Sequence, residues 1–182
     1  MTAALENAPG ALDLIRVFEN TLNLPDGPDE LDSVGHGAAW CLSHGLPPVG
    51  GDDELVRLRG FREALREVLF ANNGAAEVRT AWERLRPFVS AAQLRLTVDS
   101  NRGLDLLPAA PEADGAIAAL LAVVYEALLD NTWPRMRACR KVSCRYAYYD
   151  RTKNASRAWC SMATCGNQEK AARRRLRERI AR

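Results

Sequence analysis

Four of the five cysteines lie in two stretches, Arg137-Ala-Cys-Arg-Lys-Val-Ser-Cys144 and Trp159-Cys-Ser-Met-Ala-Thr-Cys-Gly-Asn167. Each stretch spaces its two cysteines five positions apart, as Cys139 and Cys144 and as Cys160 and Cys165. Two close pairs joined by a loop can bring four sulfurs to the corners of a tetrahedron, the geometry that Zn²⁺ prefers. Because four thiolates close the coordination shell, the pattern predicts one structural zinc ion per chain, with no open position for a catalytic water.

The surroundings of these cysteines favour a metal over disulfides. About 50 residues bury too little apolar surface to fold alone, and zinc would supply the missing stabilisation. The chain has no run long and apolar enough for a membrane span and no signal-peptide pattern at its start. We therefore expect a cytoplasmic protein, in which thiols stay reduced. Cys41 is the odd cysteine and is predicted to be a buried small hydrophobe.

The net charge of +2 conceals a strong asymmetry along the chain. From Asn131 onward there are 15 Lys and Arg against 3 Asp and Glu, whereas the preceding residues carry 10 against 20. A basic segment after an acidic body indicates binding to a polyanion, most commonly nucleic acid. Attraction between the two halves, within a chain or between subunits, is the alternative.

Hydrophobic spacing predicts a mainly helical first domain, residues 1–131, with one β-hairpin. The hairpin is expected where Leu94, Leu96 and Val98 alternate with polar residues, before a turn at residues 100–103 and a second apolar run. Asp52 or Asp53 is a candidate cap for the third helix. The helices are predicted at Asp13 to Leu24, Asp29 to His44, Glu54 to Ala71, Ala75 to Val89 and Glu112 to Leu129.

Residues 132–182 are predicted to form a small zinc finger that ends in a helix. A short strand is expected within residues 145–150, and Asn167 is a candidate N-cap for a helix running to the end of the chain. Ala172, Leu176 and Ile180 form a narrow apolar stripe that could dock on the rest of the protein, unless the helix is only a solvated, partly frayed end. The candidate nucleic-acid contacts are Arg145, Lys153, Arg157, Lys170, Arg173, Arg174 and Arg177, the last four sharing one helix face.

Signs of other chemistry are weak. His36, Trp40 and His44 could share a face of the second helix and line a ligand pocket, although such residues are more often structural. The sequence contains no phosphate-binding loop, nucleophile elbow or dinucleotide-binding motif. We therefore do not expect an enzyme.

The cysteine segment resembles the CGNR zinc-finger family. The resemblance lies in Arg137-x-Cys139-x4-Cys144, in Asp150-x-Thr152-x-Asn154-x-Ser156-Arg157, and in Trp159-Cys160-x-Met162-x2-Cys165-Gly166-Asn167. Members of that family carry an N-terminal ABATE domain and are regarded as bacterial, stress-induced transcription regulators. The first domain is similar in length and layout. Gln168 departs from the pattern, because the fourth letter of the family motif is arginine.

These observations together predict a DNA-binding transcription regulator whose first domain senses a ligand or partner. It would be cytoplasmic, and associated with the nucleoid when bound. The alternatives are a basic finger that docks an acidic protein or subunit, and RNA binding, for which Tyr146, Tyr148, Tyr149 and Trp159 could offer stacking surfaces. The effector, the target sequence and the oligomeric state, including a homo-oligomer, stay open.

Overall fold

The computed structural model describes residues 7–24, 27–99 and 103–180. Over these residues the elements are α1 (Leu12–Glu19), α2 (Val34–Ser43), α3 (Asp52–Asn72), α4 (Val78–Ala91), β1 (Leu94–Asp99), β2 (Gly103–Pro108), α5 (Glu112–Leu129), β3 (Met136–Ala138), β4 (Ala147–Tyr149) and α6 (Asn167–Ile180). A 3₁₀ turn at Trp133–Arg135 precedes β3, and a π-helical turn at Met162–Gly166 precedes α6. The predicted fold class, mainly helical with a hairpin and a small cysteine-rich module, is confirmed.

Helix α3 lies at the centre of the core because apolar residues recur along it at helical spacing. Leu58, Phe61, Leu65, Val68 and Leu69 are all fully buried. Helices α1, α4 and α5 pack against this helix and contribute Ile15, Phe18, Leu85, Ile117 and Leu120 to the same core. Cys41 is also fully buried, as predicted, and burial raises the pKa of its thiol.

Three helices begin at residues other than those predicted, two of them because of a capping side chain. Helix α2 begins at Val34 rather than Asp29, because the Ser33 side chain accepts a hydrogen bond from the His36 amide. Helix α3 includes Asp52 and Asp53 in its first turn and has Gly51 as its cap, so neither aspartate is the capping side chain. Glu77 caps α4 by accepting hydrogen bonds from the amides of Arg79 and Thr80.

Helix α1 is shorter than predicted and stops at Glu19. The segment after it forms an isolated β-bridge between Leu22 and Asp29 instead of another helical turn. The Asp29 carboxylate also forms a bidentate ion pair with the buried Arg62 guanidinium, with nitrogen–oxygen distances of 2.6 and 2.7 Å. This arrangement explains why the predicted second helix does not extend back to Asp29.

The hairpin is confirmed, with β1 antiparallel to β2 and Leu96 opposite Leu106. The predicted turn at residues 100–103 falls largely outside the described residues. A second antiparallel pair, β3 with β4, sets Arg137 opposite Tyr148 in the cysteine-rich segment. Strand β4 lies within the predicted strand region, residues 145–150, whereas β3 was not predicted.

Side chains on both sides of residues 131 and 132 share one core. Trp133, Met136, Ala138, Ala147 and Tyr149 belong to the same buried cluster as the helices α1 to α5. The division of the chain at this point stays a prediction, but the two parts pack closely. Among the described residues, no helix is long and apolar enough to cross a membrane.

Candidate metal centre and basic surface

The four predicted ligands meet at one point. Candidate donor atoms of Cys139, Cys144, Cys160 and Cys165 all lie within 4.8 Å of one another, and all four residues are buried. The Sγ atom of Cys160 lies 3.6 Å from that of Cys144 and 3.8 Å from that of Cys165. These separations are far longer than a disulfide bond of about 2.05 Å. They agree with the edge of about 3.8 Å expected for a tetrahedron with zinc–sulfur bonds of about 2.3 Å.

Local backbone structure places each sulfur. The amide of Cys139, just after β3, donates to the Tyr146 carbonyl, and the amide of Cys144 donates to the Lys141 carbonyl. Cys165 lies in the π-helical turn, which the Ser161 hydroxyl caps at the Thr164 amide. A Cβ on Gly166 would lie 2.5 Å from the Met162 sulfur, so a larger residue there would force the half-exposed Met162 side chain to move.

The thiols compete for protons because they are so close. Hydrogen bonds from the thiols of Cys144 and Cys160 stabilise the Cys139 thiolate and lower its pKa. The hydrogen bonds with Cys139 raise the pKa of Cys144 and Cys160 in turn. Four thiolates cannot coexist in a buried cluster without a cation to balance them. Zinc would offset half of this charge, and its binding would supply folding free energy. The donor set therefore fits a structural zinc ion held by all four cysteines.

The loop between β4 and Cys160 is held by a buried carboxylate. Asp150 accepts hydrogen bonds from the amide and hydroxyl of Thr152, at 2.9 and 2.6 Å, and from the amide of Arg157 at 2.8 Å. Burial opposes ionisation, but these bonds and the nearby Arg137 guanidinium hold the pKa of Asp150 below its usual value. The aspartate and threonine of the motif thus have a structural role.

The C-terminal end of α3 is the platform on which the cysteine module rests. The Asn73 amide nitrogen, from a buried side chain, donates to the carbonyls of Ala138 at 2.8 Å and Ala158 at 2.9 Å, and lies 3.1 Å from the Tyr148 hydroxyl. In the opposite direction, the Arg140 guanidinium of the module donates a hydrogen bond to the Asn73 carbonyl. Asn73 follows the helix predicted from Glu54 to Ala71. Its buried amide could not be distinguished from an exposed helix end by pattern alone.

Helix α1 and the middle of α3 make two further contacts with the module. The Asn20 side chain accepts from the Ala147 amide at 2.8 Å and donates to its carbonyl at 2.9 Å, which extends the pairing of β4. The buried Arg66 donates to the carbonyls of Glu19 and Arg145. The module and the helices are thus joined by directional bonds as well as by apolar packing.

Two of the seven predicted nucleic-acid contacts are engaged within the protein. Arg145 forms an ion pair with Glu67 at 2.7 Å, and its guanidinium lies 4.5 Å from the centre of the Phe70 ring. Arg157 donates to the carbonyls of Trp159 and Cys160 and stacks over Tyr148. Because these contacts hold the module together, we leave both arginines out of the proposed nucleic-acid surface.

The other five predicted contacts are exposed. Lys153 lies in the loop after β4, and Lys170, Arg173, Arg174 and Arg177 lie along α6. Helix α6 buries none of its residues, so the expectation that its apolar stripe docks on the protein is wrong. Leu176 and Ile180 are 58% and 78% exposed. The stripe is too short, with one residue per turn, to hold the helix against the module.

The start of α6 also differs from the prediction. Asn167 is not its N-cap but lies inside the helical backbone, and its side chain donates to the Ala163 carbonyl at 3.2 Å. The π-helical turn continues directly into α6, so the helix is oriented from Cys165 without a break. Gln168, which replaces the family arginine, accepts a hydrogen bond from Lys141 in the first cysteine loop. This bond is a second tie between α6 and the metal centre.

The aromatic and histidine residues singled out in the sequence have structural contacts. Tyr148 and Tyr149 are buried, and Tyr146 and Trp159 pack against the cysteine cluster. Trp40 is 7% exposed and contacts Phe18 in the core. His44 stacks on Trp40 with ring centres 4.1 Å apart, whereas His36 pairs with Asp32 in solvent.

Comparison with protein families follows the same division of the chain. The model of the CGNR zinc finger matches residues 135–178. The model named ABATE, described as "Putative stress-induced transcription regulator", matches residues 9–131. A search of curated proteins finds no match.

Proposed function

The chain belongs to the ABATE family and ends in a CGNR zinc finger, and on this premise we propose that it is a DNA-binding transcription regulator. In this proposal the zinc ion and its four cysteines fix the finger, α6 contacts DNA, and the helices α1 to α5 sense a ligand or partner. The protein would act in the cytoplasm, associated with the nucleoid when bound. The role in a stress response follows from the family description alone.

The distribution of exposed cations carries the proposal. Arginines in the body of the finger donate to backbone carbonyls: Arg135 to Asp150 and Thr152, Arg137 to Pro134 and Arg157, and Arg140 to Asn73. Helix α6 has six basic residues against two acidic ones and lies in solvent along its length. Within the described chain, Arg174 is the α6 cation with an ion pair, to Glu178. The positive charge that can meet a polyanion is therefore concentrated on α6.

The shape of α6 suits a duplex. Its 14 residues extend about 21 Å at a rise of about 1.5 Å per residue, and one helix fits the major groove of B-DNA. Lys170, Arg173 and Arg177 follow one another on a single face. That face lies beside the exposed apolar stripe of Ala172, Leu176 and Ile180. If the basic face contacts phosphates, the apolar stripe is free to contact base edges or methyl groups.

The packing of the aromatic residues favours duplex DNA over RNA as the ligand. Single-stranded RNA is held largely by bases stacked on exposed aromatic rings. Here the aromatic residues of the finger pack around the cysteines or in the shared core. An acidic protein partner uses the same cations as DNA does, and the experiment below separates the two.

The proposal is tested by titrating zinc-loaded protein with duplex DNA at several salt concentrations. Each phosphate contact contributes about −0.9 to the slope of log affinity against log salt. The double variant R173Q/R177Q should bind more weakly and with a slope reduced by about 2. The control R175Q/R179Q removes the same charge from the opposite side of α6 and should change the slope much less. Equal effects would refute the assigned face, and absence of duplex binding by the wild-type protein would refute the function.

A further inference from the structure

The hairpin exposes five large apolar side chains, those of Leu94, Leu96, Val98, Leu104 and Leu107. Its register places Leu94, Leu96 and Val98 opposite Pro108, Leu106 and Leu104, and directly opposed residues point to the same face of a sheet. Leu96 is 65% exposed, Val98 79% and Leu104 70%. A two-stranded hairpin gains stability when further strands pair with it, so an additional strand beside this one would stabilise it.

The exposed face continues onto α5, while β1 has a free edge. Leu104 and Asp105 line the same shallow depression as Glu126 and Leu129 of α5, and Leu129 is 68% exposed. Strand β2 is the one that packs along α5. Strand β1 pairs with β2 alone among the described strands, so its outer edge offers unpaired amides and carbonyls.

We propose that β1 of a second copy of this chain pairs with this edge, antiparallel about a two-fold axis at Thr97. Two hairpins then form one four-stranded sheet, with Leu96 of each copy opposite Val98 of the other. Since the strand period is two, this register keeps the apolar positions of both copies on one face. A two-fold interface has to be self-complementary, and the apolar positions of this strand satisfy that condition.

The charges in the sequence of β1 also favour a second copy as the occupant. With Thr97 on the axis, position 95, an arginine, lies opposite position 99, an aspartate, twice in each dimer. Opposite charges that face each other across a strand pair stabilise it, and like charges destabilise it. An unrelated partner would have no reason to match this order. The proposal does not depend on DNA binding, because the hairpin and α6 are separate elements.

The test is the oligomeric state of the zinc-loaded full chain, measured by sedimentation equilibrium over a range of concentrations. The wild type should dimerise, and Leu96→Lys should weaken the dimer at least tenfold. The control Val56→Lys adds the same charge at an exposed position of α3, where the valine is also 65% exposed, and should leave the dimer unchanged. Circular dichroism checks that both variants fold. A monomeric wild type, or a dimer indifferent to Leu96→Lys, would overturn the proposal.

A charge swap tests the register independently. Arg95→Asp and Asp99→Arg should each weaken the dimer about tenfold, because each places like charges opposite one another, and the double variant should restore it. Failure of the double variant to recover would reject the axis at Thr97. A dimer that survives these changes but is lost in Leu176→Lys would assign the interface to α6 instead.

Discussion

Replacement of Asn73 by alanine tests the attachment of the finger to α3. The side-chain amide is 2% exposed and supplies hydrogen bonds to the carbonyls of Ala138 and Ala158, in two different segments of the finger. Asn73→Ala removes this donor from the buried Ala138 carbonyl, whereas the Ala158 carbonyl loses one donor and keeps the Arg140 amide at 3.0 Å. An unsatisfied buried group costs about 1–3 kcal/mol.

One term partly offsets this cost. The Oδ1 atom of Asn73 has no hydrogen-bond partner in the part of the chain that the structure describes, so alanine also removes a buried orphan acceptor. That removal returns about 1 kcal/mol. One carbonyl left without a donor, one further lost hydrogen bond and one removed orphan acceptor together should lower the free energy of unfolding by about 2 kcal/mol.

The assay is urea unfolding at saturating zinc, with zinc affinity measured separately by competition with a chelator. Because folding of the finger and metal binding are linked, zinc affinity should fall as well, although the hydrogen bonds of the Asn73 side chain go to Ala138, Ala158 and Tyr148 and not to a metal ligand. Asn154→Ala, in the exposed loop of the finger, is the control and should change neither quantity. A loss below about 0.5 kcal/mol with unchanged zinc affinity would show that the platform contributes nothing to the finger.

Three other predictions concern the metal, a buried carboxylate and a reassigned arginine. Elemental analysis should find one zinc per chain, and Cys165→Ser should lower that stoichiometry and unfold the finger, as loss of near-ultraviolet dichroism would report. Burial raises the pKa of Glu19 to about 8, so its contribution to stability is complete below the ordinary value of 4.5 and is lost as pH rises towards 8. Glu19→Gln should therefore flatten the pH dependence of unfolding in that window; an unchanged slope would contradict the raised pKa. Arg145→Gln should destabilise the protein by about 1–2 kcal/mol without altering the salt dependence of DNA binding, since its partners are Glu67 and Phe70. A reduced salt slope would show that Arg145 contacts DNA.

Most of the fold could be predicted because its signals are local. Helix α5 begins and ends where its apolar period does, and β1 and β2 match the alternation of Leu94, Leu96 and Val98. Apart from strand β3, which was not predicted, the errors lie at helix ends. There a single capping side chain such as Ser33, or a tertiary pair such as Arg62 with Asp29, outweighs helix propensity.

The metal site could be predicted because cysteine spacing constrains geometry strongly. The roles of individual arginines could not. Arg145, Arg157 and Arg173 are equivalent in a charge count, yet two of them are engaged in the finger and one lies in solvent. Which carbonyls an arginine side chain can reach depends on how distant segments pack, and no local pattern encodes that.

The sequence by itself determined the helices, the hairpin, the four-cysteine centre and the division between acidic and basic halves. Periodicity, ligand spacing and charge are properties of short stretches. Tertiary structure alone decided that the finger is anchored on α3 through Asn73, and that α6 projects into solvent with its cations exposed. It also left the hairpin face uncovered. These outcomes depend on contacts between residues far apart in the chain, which become definite only once the core has formed.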